Sequence, residues 1–161
     1  GAAARIVRAM PNTPAAVGRG ITVLTGNDNV TVAQRDACEA LMTAVGTVAW
    51  VSDEGQIDAV TGVSGSGPAY VFHLVEAMAA AGIAAGLPPD LAMQLARETV
   101  AGSGELLAQS TDPAATLREN VTSPGGTTAA ALDVLMSDEG LTDLMTRAIL
   151  RATERSRELA G

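Results

Sequence analysis

A Pro-Gly-Gly turn that leads straight into an alanine-rich helix constrains the fold of this chain more than any other feature. The segment covers residues 118–129 and contains Pro124, Gly125 and Gly126. The two glycines free the backbone to turn, and neither has a side chain that would block the first helical turn. The pattern predicts a helix over residues 128–137 whose first backbone amides face outward.

The start of that helix is a candidate anion site. The amides of Gly126, Thr127 and Thr128 should point outward from it. Because the first N–H groups of a helix have no intrahelical partner and carry part of the helix dipole, they attract a small carboxylate or phosphate. The alternative is an ordinary helix cap in which Thr127 closes its own helix. The local residues leave both interpretations open.

Residues 5–51 alternate between strand and helix patterns. Strands are predicted over residues 5–10, 21–24 and 47–51, and a helix with capping-box spacing over residues 31–46, with Ala33, Ala37, Leu41 and Ala44 along one stripe. Three strands and one helix make a poor free-standing sheet. We therefore interpret residues 1–51 as the C-terminal remnant of a larger α/β domain whose beginning is missing.

The remainder, residues 52–161, reads as a purely helical domain. Helices are predicted over residues 54–63, 68–86, 89–109, 113–121, 128–137 and 141–159. Ser64–Gly67 should interrupt the first two, and we interpret it as a packing break between helices. The fold class expected for the whole chain is mainly α, with a short α/β segment in front.

The composition predicts helices with small side chains that pack closely together. Hydrophobic residues make up 47% of the chain but aromatic residues only 2%, so alanine and glycine supply much of the apolar bulk. Small side chains let helix backbones approach closely, and they bury little area per residue. A partner chain is therefore expected to complete the core.

Charge and cysteine content exclude several classes of protein. The net charge is −8, and all ten basic residues are arginines without a dense run, which argues against nucleic acid and anionic membrane surfaces as partners. The single Cys38 excludes an internal disulfide. His73 and Glu76 interrupt the most apolar stretch, so no spanning segment is expected. We expect a cytoplasmic protein without a metal site, because His73 has no Cys or His partner.

Three linked motifs resemble those of the pyrroline-5-carboxylate reductase family. They are Val-Arg-Ala-Met-Pro-Asn-Thr-Pro at residues 7–14, Ile-Asp-Ala-Val-Thr-Gly-Val-Ser-Gly-Ser-Gly-Pro-Ala-Tyr at 57–70, and Asn-Val-Thr-Ser-Pro-Gly-Gly-Thr-Thr at 120–128. The resemblance implies NAD(P)H-dependent reduction of 1-pyrroline-5-carboxylate to L-proline, the last step of proline biosynthesis. It also implies a C-terminal domain of the 6-phosphogluconate-dehydrogenase-like helical type, used for substrate binding and dimerisation.

The chain departs from the family pattern at its beginning. A Gly-x-Gly-x-x-Gly turn between a strand and a helix, which would hold the dinucleotide, is missing. The resemblance therefore covers the C-terminal part of such a reductase, and NADPH or NADH should be bound mainly by a region that precedes it. The isolated fragment is expected to be inactive.

The resemblance assigns the substrate site to the Pro-Gly-Gly turn. The amides of Gly126, Thr127 and Thr128 should hold the substrate carboxylate, and the Thr128 hydroxyl should lie beside the ring nitrogen. Because a neutral threonine is too weak an acid to protonate an imine alone, Thr128 is assigned orientation or relay through water. The alternative is a hydroxyl that caps its own helix. Ser123 joins the substrate-binding set, although stabilisation of the turn is its more ordinary role.

Four further residues match family positions outside that turn. Glu54 should favour a protonated iminium near the substrate nitrogen, or else be a solvated acid in a first helical turn. Asn120 should touch the nicotinamide nucleotide, or else cap a helix C-terminus. Asn12 and Thr13 follow a strand and could face the nicotinamide, or else simply form a turn.

Three functional hypotheses remain open at this point. The first is the reductase activity of the family, with a homodimer or a ring of dimers in which helices of two subunits interleave. The second is a non-catalytic oligomerisation module. The third is a related imine or 3-hydroxyacid dehydrogenase, against which the Ser-Pro-Gly-Gly-Thr-Thr turn argues.

Overall fold

The chain is mainly helical. A computed structural model describes residues 4–160, and 65% of the chain is helix. Seven α-helices lie within this range: α1 (Val32–Thr43), α2 (Gln56–Val60), α3 (Gly67–Ala84), α4 (Pro89–Gln109), α5 (Ala114–Asn120), α6 (Thr127–Leu135) and α7 (Leu141–Ala160). The predicted fold class, mainly α with a short α/β segment in front, is confirmed.

A three-stranded sheet forms the α/β segment. Its strands are β1 (Val7–Met10), β2 (Gly20–Gly26) and β3 (Gly46–Trp50), in the order β1-β2-β3. β1 pairs antiparallel with β2 and places Val7 opposite Gly26, whereas β2 and β3 run parallel. The central strand supplies most of the core here, because Thr22, Val23, Leu24 and Thr25 are all buried.

The parallel pair depends on a glycine at the start of β3. Gly46 has φ +147°, a conformation that side chains rarely adopt, and a Cβ there would collide with the carbonyl group of Gly20. Glycine alone combines this backbone angle with so close an approach between two strands. The register that places Gly20 opposite Gly46 therefore follows directly from the sequence.

Helix α1 begins as predicted but buries a different face. The amide of Thr31 donates to Gln34 Oε1 at 3.1 Å, as the predicted capping box requires. The predicted stripe is exposed, and the half-buried side chains are Gln34, Arg35, Cys38 and Met42. The Arg35 guanidinium lies 4.0 Å from the centre of the Trp50 ring, so a cation–π contact turns this polar face toward β3.

The predicted break between the first two helices of the helical region is a wide helical turn. α2 continues through a π-helical turn, Thr61–Gly65, which the Ser66 amide closes by donating to the Thr61 carbonyl at 2.8 Å. A Cβ on Gly62 would lie 2.7 Å from Thr153 Oγ1 and 3.0 Å from the carbonyl oxygen of Ile149. The glycines in this segment therefore widen the helix and let α7 approach, and they do not end it.

Contacts divide the described chain into two compact units. The first unit contains residues 4–69 and 147–160, and the second is Tyr70–Thr146. The first unit buries the β2 residues together with Ile57 and Thr153. In the second unit the buried residues are Ala79, Ala92 and Ala96. The domain division predicted after residue 51 remains a prediction.

The second unit exposes many large apolar side chains. Those at least 37% exposed include Phe72, Leu74, Ile83, Leu91, Leu95, Leu106, Leu107, Val134 and Met136. Large apolar side chains exposed in this number within one unit are typical of a surface that contacts another molecule. The three buried alanines cannot supply a core for a unit of this length.

One helical stretch is long and apolar enough, by length and composition alone, to cross a membrane. It is Gln56–Ala84, and 6% of its most apolar window is buried. No spanning stretch is expected from the sequence if His73 and Glu76 are treated as interruptions of the apolar run. A hydropathy averaged over a window tolerates both residues, so the stretch passes. A single helix of this kind is weak evidence, since helices of soluble proteins pass the same test.

Candidate functional site

The Pro-Gly-Gly segment forms a tight turn with a left-handed glycine. The amide of Gly126 donates to the carbonyl of Ser123 at 3.0 Å, and Gly125 has φ +68°. Proline at the second position and a glycine with positive φ at the third are the requirements of a type II turn. The sequence Ser-Pro-Gly-Gly thus determines the local backbone.

The second glycine is needed for a different reason. Gly126 has an ordinary extended backbone, with φ −80° and ψ 175°. A Cβ on Gly126 would lie 2.5 Å from Ser123 Oγ and 3.1 Å from the Ser123 carbonyl oxygen. Gly126 must therefore lack a side chain so that Ser123 can pack against the start of α6.

Three backbone amides are free at the start of α6. The first hydrogen bond of this helix runs from the Ala130 amide to the carbonyl of Gly126, at 3.2 Å. The amides of Thr127, Thr128 and Ala129 have no acceptor among residues 4–160. They lie at the positive end of a nine-residue helix, so they are suited to a small anion.

This set of donors differs from the predicted one by one residue. The Gly126 amide is predicted to be free, but the type II turn uses it to close on Ser123. Ala129 takes its place, because three amides after the helix cap lack intrahelical partners. Counting from the cap rather than from the glycines would have found Ala129.

The two threonine hydroxyls do not cap α6. The capping residue is Gly126, so the alternative in which Thr127 closes its own helix is wrong. The Thr128 side chain is half-buried, and its hydroxyl has no hydrogen-bond partner in the described part of the chain. Thr127 is exposed. Both hydroxyls are available to a ligand at the helix start.

Asn120 is the last residue of α5 and is exposed. The residue in the C-cap position is Val121, so Asn120 does not have the capping role offered as its alternative. Its side-chain amide has no partner within residues 4–160. Asn120, Ser123, Gly126, Thr127 and Thr128 all belong to the second unit.

The other predicted site residues belong to the first unit, and two of them already accept hydrogen bonds from other protein groups. Glu54 Oε1 accepts a hydrogen bond from the Arg8 guanidinium at 3.2 Å, in a turn before α2 where the Glu54 side chain is 69% exposed. Asn12 Oδ1 accepts the Ile21 amide at 2.9 Å, which supports its turn-forming alternative. Thr13 is exposed and begins a short 3-10 helix, Thr13–Val17.

A cavity of about 430 Å³ opens in the first unit, and none of the predicted residues of that unit lines it. It is lined by Arg8, Thr61, Ser66, Ala152, Arg155, Ser156, Leu159 and Ala160. Arg8 pairs with Glu54, and Arg155 donates to Glu158 at 2.6 Å. Because carboxylates already neutralise both guanidinium groups, this cavity is a poor receptor for an anion.

Two candidate metal ligands have ordinary surroundings. Among residues 4–160 no group of three or more His, Cys, Asp or Glu side chains is placed to hold an ion. His73 is exposed and its Nδ1 lies 3.0 Å from Glu76 Oε2. Cys38 is half-buried on α1 with a free thiol.

Comparison with known sequences identifies the helical region. The family model described as pyrroline-5-carboxylate reductase dimerisation matches residues 54–159. A pyrroline-5-carboxylate reductase from Synechocystis sp. is 47% identical over 154 residues, covering 96% of this chain and 57% of that protein. One from Pseudomonas aeruginosa is 44% identical and covers 96% and 56%, respectively. The chain therefore spans a little over half the length of these relatives.

Solved structures give the same result for the fold. The pyrroline-5-carboxylate reductase from Coxiella burnetii superposes with a TM-score of 0.92 at 44% identity, over 99% of this chain and 58% of that one. The Plasmodium falciparum pyrroline carboxylate reductase, solved with NADP bound, gives 0.81 at 32% identity, over 98% and 59%. With the family model matching well over half of its residues, the chain belongs to the pyrroline-5-carboxylate reductase dimerisation family.

Proposed function

We propose that this chain supplies the substrate site and the subunit contact of a reductase that converts 1-pyrroline-5-carboxylate to L-proline with NADPH or NADH. The observation that carries the proposal is the set of amides at Thr127, Thr128 and Ala129 that have no acceptor among residues 4–160 and directly follow the two glycines of the turn. The family relationship supplies the substrate, a five-membered ring with a carboxylate and an imine nitrogen.

The free amides hold the carboxylate. Each hydrogen bond from a backbone N–H to a charged acceptor contributes about 1.5–3 kcal/mol. The helix dipole adds to this attraction, so no basic side chain is required. The segment from Asn120 to Asp133 contains neither lysine nor arginine, which is consistent with a receptor built from the backbone.

Thr128 acts next to the ring nitrogen. Its hydroxyl is free to donate to that nitrogen or to accept from it, because no described protein group competes for it. A neutral hydroxyl cannot protonate the imine by itself, so Thr128 orients the ring and passes a proton through water. Thr128 is thus the one residue to which we assign a catalytic role.

Glu54 is a weaker candidate for the nitrogen. A carboxylate near the imine would favour the protonated iminium, which accepts hydride more readily. In this structure the Glu54 carboxylate pairs with Arg8. Its proposed role therefore requires that the ion pair opens when substrate binds.

The nicotinamide cofactor supplies the hydride when bound. Of the residues predicted to touch it, Asn120 has a free side-chain amide and Thr13 is exposed, so both fit a polar contact with the nucleotide. The Asn12 side chain is already used by the Ile21 amide and fits less well. With no glycine-rich phosphate turn in the sequence, these residues can hold only part of a dinucleotide.

The proposed assembly is a homodimer in the cytoplasm, with a ring of dimers as a further possibility. The family to which the chain belongs is defined by dimerisation. The exposed apolar side chains of the second unit give that contact a physical basis, because covering them with a second copy removes apolar surface from water.

Replacing Thr127 by proline tests the receptor. Thr127 is the first residue of α6, a position at which proline suits the helix. Thr127→Pro removes the backbone N–H group together with the threonine hydroxyl. Thr127→Ala, the matched control, keeps the amide and removes the hydroxyl. In the full-length protein, we expect Thr127→Pro to weaken L-proline binding by about 10- to 150-fold, the equivalent of one charged hydrogen bond. Equal affinities for both variants in calorimetry would refute the receptor.

Kinetics test the role of Thr128. In the full-length protein, Thr128→Ala should lower turnover by about 10²–10⁴-fold, the range of proton-transfer defects. Thr128→Ser keeps the hydroxyl and should retain most of the activity. An unchanged rate for Thr128→Ala would remove this side chain from the mechanism.

A non-catalytic oligomerisation module is the second candidate function for the chain by itself. The observation that favours it is the match of residues 54–159 to a family model described by dimerisation. We expect the chain alone to show no micromolar NADPH binding in calorimetry. Such binding would contradict this alternative, and turnover of a 3-hydroxyacid in preference to the pyrroline would favour a related dehydrogenase.

A further inference from the structure

A half-buried threonine directly precedes the Pro-Gly-Gly turn. The Thr122 hydroxyl donates to the carbonyl of Arg118 at 2.6 Å, and the Thr122 amide donates to the carbonyl of Glu119 at 2.9 Å. Thr122 is half-buried although it belongs to a surface loop. The side chain thus ties the loop to the last turn of α5, whose carbonyls have no intrahelical partners.

The loop between α5 and α6 is short and its conformation is constrained. It contains six residues, 121–126, and the last four are closed into a turn by the bond from the Gly126 amide to the Ser123 carbonyl. Thr122 immediately precedes that turn. Its bond to Arg118 therefore sets the direction in which the turn leaves α5, and so the direction of the first amides of α6.

Arg118 also contacts the other end of α6. Its guanidinium lies 3.6 Å from the sulfur of Met136, the residue that follows α6. The residue that accepts the Thr122 hydroxyl on its backbone thus contacts the end of α6 with its side chain. The two contacts hold α6 near both of its ends relative to α5.

We propose that Thr122 is a positioning residue that aims the free amides of Thr127, Thr128 and Ala129 through its hydrogen bond to the Arg118 carbonyl. This inference rests on the proposed function of those amides as the carboxylate receptor. Thr122 itself touches no substrate.

The expected kinetic signature follows from what the amides bind. The carboxylate keeps its charge throughout the reduction, so its hydrogen bonds are equally strong in the ground state and the transition state. Losing such uniform binding raises KM and leaves kcat nearly unchanged. A general loss of structure would lower the fraction of active enzyme, which reduces the apparent kcat instead.

The test is Thr122→Val in the full-length protein, assayed with 1-pyrroline-5-carboxylate. Valine keeps the shape of the side chain and removes the donor. We expect KM to rise about three- to tenfold, the equivalent of one hydrogen bond, with kcat within about twofold of the parent value. Thr122→Ser keeps the hydroxyl and should restore the parent KM.

The matched control is Thr146→Val in α7. The Thr146 hydroxyl makes the same kind of bond, to the carbonyl of Thr142 four residues earlier at 2.7 Å, in an exposed helix. This variant should leave KM unchanged. If Thr122→Val fails to fold, Thr122→Ala removes the same donor without placing a methyl group in the hydroxyl position.

The outcomes separate this inference from the proposed function. An unchanged KM in Thr122→Val or Thr122→Ala, or a KM in Thr122→Ser as high as in Thr122→Val, would overturn the positioning role. If Thr127→Pro also binds L-proline normally, the receptor itself is wrong. If Thr127→Pro is defective and Thr122→Val is normal, the receptor stands and only the positioning role fails.

Discussion

The two units of this molecule reach stability by different means. The first buries a strand with branched and hydroxylated side chains, from Thr22 to Thr25, together with Ile57 and Thr153. The second buries Ala79, Ala92 and Ala96 and leaves Phe72 and many leucines exposed. An alanine side chain buries far less apolar area than a leucine does.

The difference is what a unit completed by another chain would show, as the proposed dimer requires. Small residues at buried positions bring helices close together, and large residues on the outside are left to meet a partner. This division is consistent with a family that is named for dimerisation. The comparison predicts that polar substitutions in the second unit act on assembly, whereas changes in the first unit act on folding.

The largest effect should come from charges in the exposed apolar surface of the second unit. The double variant Phe72→Asp/Leu106→Asp replaces side chains that are 65% and 57% exposed. If a second copy covers both positions, the dimer dissociation constant should rise at least about 10³-fold. The two new carboxylates would lose their hydration in the interface, and the apolar contacts of Phe72 and Leu106 would be lost. Analytical ultracentrifugation at micromolar concentration measures it.

A matched control for that variant lies in the first unit. Val17→Asp/Leu41→Asp changes side chains that are 77% and 68% exposed, and it should leave the dimer intact. Equal dissociation by the two double variants, or a wild-type chain that is a stable monomer at micromolar concentration, would contradict the comparison.

The next effect should come from the sheet of the first unit. Gly46→Ala forces a side chain against Gly20 at a left-handed backbone angle, and we expect a loss of about 3 kcal/mol in the free energy of unfolding. Urea denaturation of the dimer measures it. Gly26→Ala, whose Cβ would lie 3.4 Å from Val30, should change stability by less than about 0.5 kcal/mol. Similar losses in both variants would argue against the tight pairing.

A smaller effect is expected where α7 meets α2. The Ser156 hydroxyl donates to Asp58 Oδ1 at 2.6 Å, and Ser156→Ala would leave that half-buried carboxylate without its hydroxyl donor. We expect a loss of about 1–2 kcal/mol in thermal or urea denaturation. Thr142→Val, on an exposed turn of α7, is the control and should be nearly neutral. A neutral Ser156→Ala would show that the bond contributes no net stability.

The smallest effect should come from surface charges on α7. Hydrogen bonds from Arg155 and then Arg151 lower the pKa of Glu158 below its ordinary value of 4.5. A depressed pKa means that ionised Glu158 stabilises the fold at neutral pH, and that this contribution is lost as the pH falls below 4.5 through the lowered pKa. Glu158→Gln should therefore lower Tm slightly at pH 7 and not at acid pH.

Salt provides the check on that last prediction. The side chains of the Glu158 network lie on the surface, so the difference in Tm at pH 7 should shrink as salt is added. Glu98→Gln on the exposed surface of α4 is the control and should leave Tm nearly unchanged at pH 7. A difference between Glu158→Gln and wild type that persists at acid pH would point to packing and not to charge.

The sequence predicted the helices well because their ends carry strong local signals. Pro89 begins α4 and Gly86 with φ +102° follows α3, as proline and glycine preferences require. α6 begins at Thr127, one residue before the prediction, directly after the Pro-Gly-Gly turn. These boundaries depend on a few neighbouring residues, so a single sequence is enough to find them.

Features that depend on distant residues were not predictable in the same way. The stripe predicted for α1 has the helical period but is exposed. The contact between Arg35 and Trp50 determines which face of α1 turns inward. The π-helical turn at Thr61–Gly65 reflects the approach of α7 near Gly62, almost a hundred residues later in the chain. No local pattern contains that information.

The candidate site shows the same division. The turn and its open helix start were predicted from adjacent residues, and the loss of the Gly126 amide to Ser123 is a local detail that turn geometry could have supplied. The pairing of Glu54 with Arg8 and the use of Asn12 by Ile21 are non-local. The assigned roles in substrate and cofactor binding remain predictions.

The open start of α6 has one consequence for any ligand held there. A peptide N–H does not ionise in the range in which proteins work, so its strength as a donor is the same in mild acid and mild alkali. Histidine and cysteine receptors change charge in that range. Any pH dependence of ligand binding at these amides must therefore originate in the ligand. The acid group of an amino acid stays ionised from well below neutrality upward.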